Sequence, residues 1–248
     1  MSANVSRDSL ERALSPERFR PYLADAGGDF DLAWKLYQWN LRLVGVLMPL
    51  ISDVEVTLRN TIHRQLTDQF GTPQWWSSPK LLLDDESREM IGDVVRKHRK
   101  KLGRGTEGPG RVVADLTFGV WVNLLSKGAT TATQQTVNYD ENLWRKTLMH
   151  GFRVGNETNA RGSPKRPIRR HVHQAAANLQ ALRNAAVHHR KISDGIRQPG
   201  KPPEEPRIPL AEVVESSIEL LGWINPGLAN LHRGPTALTQ ELDNRPAP

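Results

Sequence analysis

The stretch LRNAAVHHR, residues 182–190, combines residue types that could act on a phosphate ester. A histidine side chain titrates near neutral pH, so His188 or His189 could transfer a proton. The guanidinium group of Arg183 could bind phosphate oxygens with two N–H groups and stabilise the charge that develops on them. The stretch therefore indicates proton transfer at a phosphate group, with His189 interpreted as a phosphate contact beside a catalytic His188.

An arginine five residues before a histidine occurs three times in the chain. The pairs are Arg145 with His150, Arg166 with His171, and Arg183 with His188. Spacing alone does not distinguish them, but only the third pair is expected deep inside a long helix. It is also surrounded by alanines, which let a second helix or a ligand approach closely. We therefore take Arg183 and His188 as the candidate pair.

Helix geometry limits how this pair can act together. Five residues turn an ideal helix by about 500°, which leaves Arg183 and His188 roughly 140° apart. Asn184 and His188 are four residues apart and share one face of the helix. Arg183 can meet His188 through the length of its side chain, through a distorted last turn, or from a second copy of the chain. The last option predicts a homodimer.

Positive charge is concentrated around this stretch. The chain has a formal net charge of +7, and residues 145–191 contain many arginines and lysines against a single acidic residue, Glu157. Such a local field favours a polyanion such as RNA as partner. The candidate RNA-binding residues are Arg166, Arg169, Arg170, Arg190 and Lys191. The alternative is a solvated basic surface without a ligand.

A second candidate set lies earlier in the chain. Glu55 and Arg59 are four residues apart on a predicted helix, and Asn60 follows them. A surface ion pair within the helix is the simpler interpretation. The functional alternative places these residues against Arg183 or His188 in a supporting role.

The sequence favours neither a metal site nor a cofactor. His171 and His173 are two residues apart and would point in opposite directions on a helix, whereas helical ligand pairs are four apart. The chain has no cysteine, which fits a reducing compartment. Its N-terminus lacks the apolar segment of a signal peptide, and the apolar run 41–51 is too short to span a membrane. We expect a cytoplasmic protein with no membrane association.

Helical patterns dominate the chain, and no alternating strand pattern of useful length occurs, which predicts an all-α fold. Helices are expected over 16–25, 31–70 with a kink or break at Pro49 that leaves two antiparallel or angled helices, 85–101, 112–127, 140–152, 167–193 and 210–224. Residues 1–28 are predicted to form an N-terminal helical extension and residues 29–224 the main domain. Residues 225–248 are predicted to be a disordered tail.

Several stretches together resemble a known family. In chain order they are LYQWN (36–40), DVEVTLRNTIHRQL (53–66) with FGTPQWW (70–76), LTFGVWVNLL (116–125) and LRNAAVHHR (182–190). This combination resembles the Abi-like family of abortive-infection proteins, and its last member resembles the active-site motif of HEPN-type ribonucleases. Arg183, Asn184 and His188 match that motif, while Arg190 and Lys191 stand where the family often has a proline-containing or acidic stretch.

The resemblance implies a HEPN-like helical bundle with additional peripheral helices. It also implies a metal-independent endoribonuclease toxin of phage defence that leaves 2′,3′-cyclic phosphate and 5′-hydroxyl ends. An antitoxin or a phage-derived component would be a possible regulator. Two alternatives stay open: a non-catalytic RNA-binding or sensor protein of the same fold, and a helical interaction module.

Overall fold

The structure is a computed structural model that describes residues 7–102, 108–202, 204–234 and 237–247. Its α-helices are α1 (Arg7–Leu14), α2 (Pro16–Asp25), α3 (Phe30–Phe70), α4 (Asp85–Leu102), α5 (Pro109–Asp115), α6 (Phe118–Leu124), α7 (Arg169–Val187), α8 (Leu210–Ile224), α9 (Pro226–Leu231) and α10 (Ala237–Asp243). Within the described ranges, extended pairing is limited to isolated bridges such as Ile196 with Ile208. The predicted all-α fold is confirmed.

Helix α3 is the central element, and it runs without a break through Pro49. Asp29 caps its start by accepting a hydrogen bond from the Leu32 amide, and Gly71 ends it with a left-handed φ of 68°. The predicted division into two helices at Pro49 is wrong. Pro49 removes one helical hydrogen bond, but the carbonyl it leaves free belongs to Gly45 on an exposed face, where water can bind it. Burial of the residues around the proline, such as Leu47 and Leu50, stabilises the helix on both sides of it.

The other helices pack around α3. Helix α8 packs against both α3 and α7, and α2 and α10 also contact α3. Helix α8 occupies the predicted range, and it buries Val213, Leu220 and Leu221. Helix α7 buries alanines, among them Ala175 and Ala176, which allow close packing of its neighbours.

Two predicted helices differ from the structure. The expected helix over 112–127 is divided into α5 and α6, because Leu116 and Thr117 have extended backbone angles. The division lets Leu116 and Phe118 both enter the core, although on one helix they would point about 160° apart. The expected helix over 140–152 is a π-helical turn, Asp140–Trp144, followed by a 3-10 turn, Leu148–Gly151.

Both ends of the described chain join the same core as its centre. Phe19 and Tyr22 of α2 are buried in it, and so is Leu238 of α10. The tail predicted to be disordered over 225–248 instead contains α9 and α10. The Trp39 indole donates a hydrogen bond to the Glu241 carbonyl at 2.7 Å. Burial of Ala229 and Leu238, together with this hydrogen bond, holds a segment of polar composition against the core. Residues 1–6, 235–236 and 248 lie outside the described residues.

No helix in the described ranges is both long enough and apolar enough to cross a lipid bilayer.

The segment after α3 contains Trp75, whose indole is buried against Trp121. Its N–H donates to Nδ1 of His63 at 3.0 Å, so this ring nitrogen must be unprotonated. Burial lowers the pKa of His63, and burial together with the nearby Arg169 lowers the pKa of His173. Both histidines therefore favour the neutral form in the folded protein.

This arrangement predicts a loss of stability in mild acid. A histidine whose pKa is lower in the folded state stabilises the protein fully above the unfolded value of about 6.5, and that stability is lost as pH falls through the folded value. We expect urea unfolding to give a smaller free energy at about pH 5.5 than at about pH 7.5. His63→Gln, which can still accept from Trp75, should reduce the difference, whereas His171→Gln at an exposed position should not. Equal pH dependence in all three proteins would contradict the assignment.

Candidate functional site

The stretch LRNAAVHHR, residues 182–190, lies at the C-terminal end of α7. The helix ends at Val187, so His188 is its capping residue and His189 lies beyond it with a left-handed φ of 52°. The Arg190 amide donates to the Ala185 carbonyl and the His189 amide to the Ala186 carbonyl, which is the Schellman pattern of helix termination. The prediction that the helix continues to residue 193 is wrong, because the chain turns at a histidine rather than at the glycine usual in this motif.

The turn is held from α3 by Asn40, which is buried within an otherwise apolar stripe. Its side-chain N–H donates to the Arg190 carbonyl at 3.3 Å, and its side-chain oxygen accepts from the Ile192 amide at 2.8 Å. Both backbone groups are thereby satisfied away from water. The residue stands at a core position between Leu36 and Leu43, and a polar side chain there was the signal from which the sequence could have indicated this role.

A cavity of about 830 Å³ opens beside the turn. Asn184, His188 and His189 line it, together with Arg18 and Tyr22 from α2. The other charged residues in its wall are Glu17, Arg190, Lys191, Asp194, Arg197 and Arg207. Positive charges exceed negative ones in this wall, so the cavity suits an anion that histidine and asparagine side chains can also reach.

Lys191, predicted to bind RNA, has a structural role instead. Its side chain is 8% exposed, forms ion pairs with Asp25 and with Asp194 (2.9 Å), and lies over the ring of Tyr22. A cation held by two carboxylates is neutralised and is not free for a phosphate. Tyr22 has a buried hydroxyl without a hydrogen-bond partner, and burial raises its pKa.

Two more of the predicted RNA-binding cations are also part of the fold. Arg166 donates to the carbonyls of Met149 and Phe152 at 2.6 and 2.9 Å. Arg169 donates to the Leu125 carbonyl and forms an ion pair with Asp140. The guanidinium N–H groups that were predicted to bind phosphates are therefore bonded to backbone carbonyls within the fold. Of the set predicted to bind RNA, Arg170 and Arg190 are exposed.

Arg183 does not line the cavity. Its Nε lies 3.7 Å from a carboxylate oxygen of Glu55, and one terminal N–H group lies 3.4 Å from the side-chain oxygen of Asn184. Arg183 and His188 thus leave the helix in different directions, as the geometry of a five-residue separation requires. The structure brings Asn184 and His188 to one cavity, whereas Arg183 is not part of its lining and contacts Asn184.

Glu55, Arg59 and Asn60 were predicted to support Arg183 or His188, and of these three residues Glu55 contacts Arg183. Glu55 lies against Arg183, which matches the functional alternative given for it. Arg59 instead donates to the Ala114 carbonyl at 3.3 Å, and Asn60 is exposed. Glu55 is therefore the member of this set that can orient a candidate catalytic side chain.

The three arginine–histidine pairs differ in what their arginines contact. Arg145 forms an ion pair with Asp140 at 2.9 Å, and Arg166 donates to two backbone carbonyls. Arg183 has the longer contact, with its Nε 3.7 Å from Glu55, although its side chain is less exposed than that of Arg145, 38% against 65%. It is the arginine of the three that a phosphate could recruit with the smallest loss of existing bonds.

Among the described residues, no three histidine, aspartate or glutamate side chains cluster in a way that could hold a metal ion. Fold and site together define an all-α protein with a basic cavity lined by adjacent histidines at a helix C-terminus. No protein-family model matches the chain, and no curated protein or solved structure was found to match it.

If the protein has the ribonuclease activity that the resemblance implies and Glu55 orients Arg183, removing the charge of Glu55 should affect RNA cleavage and not the fold. We expect Glu55→Gln to lower the cleavage rate by several-fold, because the partly exposed ion pair contributes at most about 1 kcal/mol. Asp53→Asn two residues earlier is a control that removes a carboxylate facing His232 instead. Equal rates for Glu55→Gln and the wild type would show that the contact has no role in catalysis.

Proposed function

We propose that the protein is a metal-independent endoribonuclease, a toxin of phage defence with a HEPN-like helical fold and additional peripheral helices. One observation carries the proposal: Asn184 and His188 line the same arginine-rich cavity at the end of α7. A proton-transfer group, an amide and several cations then converge on one space large enough for part of an RNA strand.

The chemistry needs no metal because the substrate contains its own nucleophile. His188 takes the proton of a ribose 2′-hydroxyl, and the 2′-oxygen attacks the adjacent phosphorus. The bond from phosphorus to the 5′-oxygen breaks, and that oxygen takes up a proton from a second imidazole, such as His189, or from water. The products are a 2′,3′-cyclic phosphate and a 5′-hydroxyl. Arginine N–H groups stabilise the negative charge on the phosphate oxygens in the transition state.

The test is incubation of the purified protein with single-stranded RNA in the presence of EDTA, followed by analysis of the product ends. The proposal expects cleavage to 2′,3′-cyclic phosphate ends, and no cleavage of an RNA whose 2′-hydroxyls are all methylated or of DNA with the same sequence. Products with 5′-phosphate ends, or cleavage abolished by EDTA, would overturn it. In this proposal the protein acts in the cytoplasm, where RNA substrates are present.

A second candidate is favoured by the position of Arg183. Because this side chain contacts Glu55 and does not line the cavity, the structure also fits a non-catalytic protein that binds RNA through the same surface. In that case the protein would retard RNA in a gel and leave it intact. A helical interaction module would do neither.

A homodimer would offer another route by which Arg183 meets a histidine, since a second copy can present it to the cavity. Mixing the inactive variants Arg183→Ala and His188→Ala tests this directly. If each site uses residues of both chains, mixed dimers keep one intact site, and activity should recover to about a quarter of the wild-type value. No recovery in a proven mixed dimer would place the complete site within one chain.

An antitoxin or phage-derived regulator would bind the same toxin and is a further part of this proposal.

A further inference from the structure

Helix α2 forms part of the cavity wall, although its residues were predicted only to belong to an N-terminal helical extension. Arg18 and Tyr22 line the cavity from this helix. One terminal N–H group of Arg18 lies 3.4 Å from the carbonyl of His189. Arg18 is therefore positioned beside the turn that carries both histidines.

The charge on Arg18 is available to a ligand. Its side chain is exposed, and no described carboxylate forms an ion pair with its guanidinium group. The contact to His189 uses one N–H group, and a guanidinium has five. Of the other cations in the wall, Lys191 is neutralised by Asp25 and Asp194, whereas Arg207, like Arg18, gives one N–H group to a backbone carbonyl, that of Gly195. Arg18 differs from Arg207 in that its carbonyl partner belongs to the turn that carries both histidines.

The cavity also lacks the arginine that the motif would supply, since Arg183 does not line it. We propose that Arg18 of α2 binds a phosphate of the RNA strand in this cavity, next to the histidines. This inference rests on the proposed function. The ligand is a phosphodiester of an unpaired strand, which the guanidinium binds with two parallel N–H groups. Arg18 supplies the binding charge, while His188 supplies the proton transfer.

The experiment measures binding separately from cleavage. The probe is a fluorescent single-stranded RNA with all 2′-hydroxyls methylated, and affinity for the full-length protein is measured by anisotropy at several salt concentrations. We expect Arg18→Gln to weaken binding about tenfold and to make the salt dependence shallower by about 0.7, the value for one phosphate contact on a single strand. Glutamine keeps an N–H donor for the His189 carbonyl, so the turn retains its contact with α2.

Arg20→Gln is the matched control, because Arg20 is an exposed arginine of the same helix that does not line the cavity. It should leave affinity and salt dependence close to those of the wild type. Arg18→Lys keeps the charge and should restore most of the salt dependence, whereas a merely structural role for Arg18 would not be restored in this way. Thermal unfolding of each variant shows whether α2 stays packed.

The outcomes separate this inference from the ribonuclease proposal. If the wild type binds the probe but cuts no natural RNA, a selective loss with Arg18→Gln still supports the phosphate contact. If the wild type cuts RNA and Arg18→Gln binds the probe like Arg20→Gln, the contact is refuted and the ribonuclease stands. Equal loss with both glutamine variants would also refute it, because it would indicate a diffuse effect of charge.

Discussion

Replacing His188 with alanine is expected to slow RNA cleavage by about 10²–10⁴-fold, the usual contribution of a general acid or base. The side chain is exposed at the C-terminus of α7, and the backbone bonds of the turn do not depend on it. The fold should therefore persist while the proton-transfer step is lost. Single-turnover rates with saturating enzyme measure the effect without interference from product release.

His171→Ala is the matched control for this variant. His171 is exposed and follows Arg166 at the same spacing, but Arg166 is bonded to the carbonyls of Met149 and Phe152. Its replacement should leave the rate within a few-fold of the wild type. If His171→Ala and His188→Ala lose activity equally, or neither does, His188 is not the catalytic base.

The neighbouring histidine needs a different substitution. His189 has a left-handed φ of 52°, a conformation that asparagine tolerates better than most residues. His189→Asn therefore removes the imidazole and keeps the turn. A larger loss with this variant than with His188→Ala would make His189 the catalytic base.

Replacing Asn40 with alanine is expected to give the largest loss of stability, about 2–4 kcal/mol in the free energy of unfolding. The change leaves the Ile192 amide and the Arg190 carbonyl without their partner, and Ile192 is fully buried. A buried unsatisfied polar group costs about 1–3 kcal/mol, and the lost side-chain volume adds to this. Urea unfolding followed by tryptophan fluorescence measures the difference.

Cleavage should also decline in Asn40→Ala, because Asn40 holds the segment that follows both histidines. Gln38→Ala is the control: Gln38 lies on the same helix but is exposed, so its replacement should change the free energy of unfolding by less than about 0.5 kcal/mol. A loss below about 1 kcal/mol for Asn40→Ala would mean that the turn keeps its position without this residue.

Local patterns predicted those elements whose own residues decide their structure. Helices α2 and α8 were predicted over the ranges that they occupy in the structure, Pro16–Asp25 and Leu210–Ile224. The end of α7 was missed because His189 takes the place of the expected glycine, and Asn40 holds the chain after it from a distant position. When a side chain far away in sequence fixes a turn, the residues of the turn itself carry no pattern that predicts it.

The candidate site, too, was predictable only where residues close in sequence determine the geometry. Asn184 and His188 were identified because a separation of four residues puts them on one helix face whatever the surroundings. The cations were harder to assign, since a basic residue has the same sequence signature whether it meets a phosphate or a carbonyl. Arg169, for example, bonds to Leu125, which is 44 positions away in the chain. Arg18 was missed because nothing near it in sequence indicates the histidine turn.

The contacts around the N-terminal half of α3 also determine when the site can form. Asn40 bonds to a residue 152 positions later, Arg18 to one 171 positions later, and Trp39 to one 202 positions later. During synthesis the first partners of these pairs leave the ribosome long before the second ones exist. A nascent chain therefore has no complete cavity until the segments up to Arg207, which also lines it, have left the ribosome.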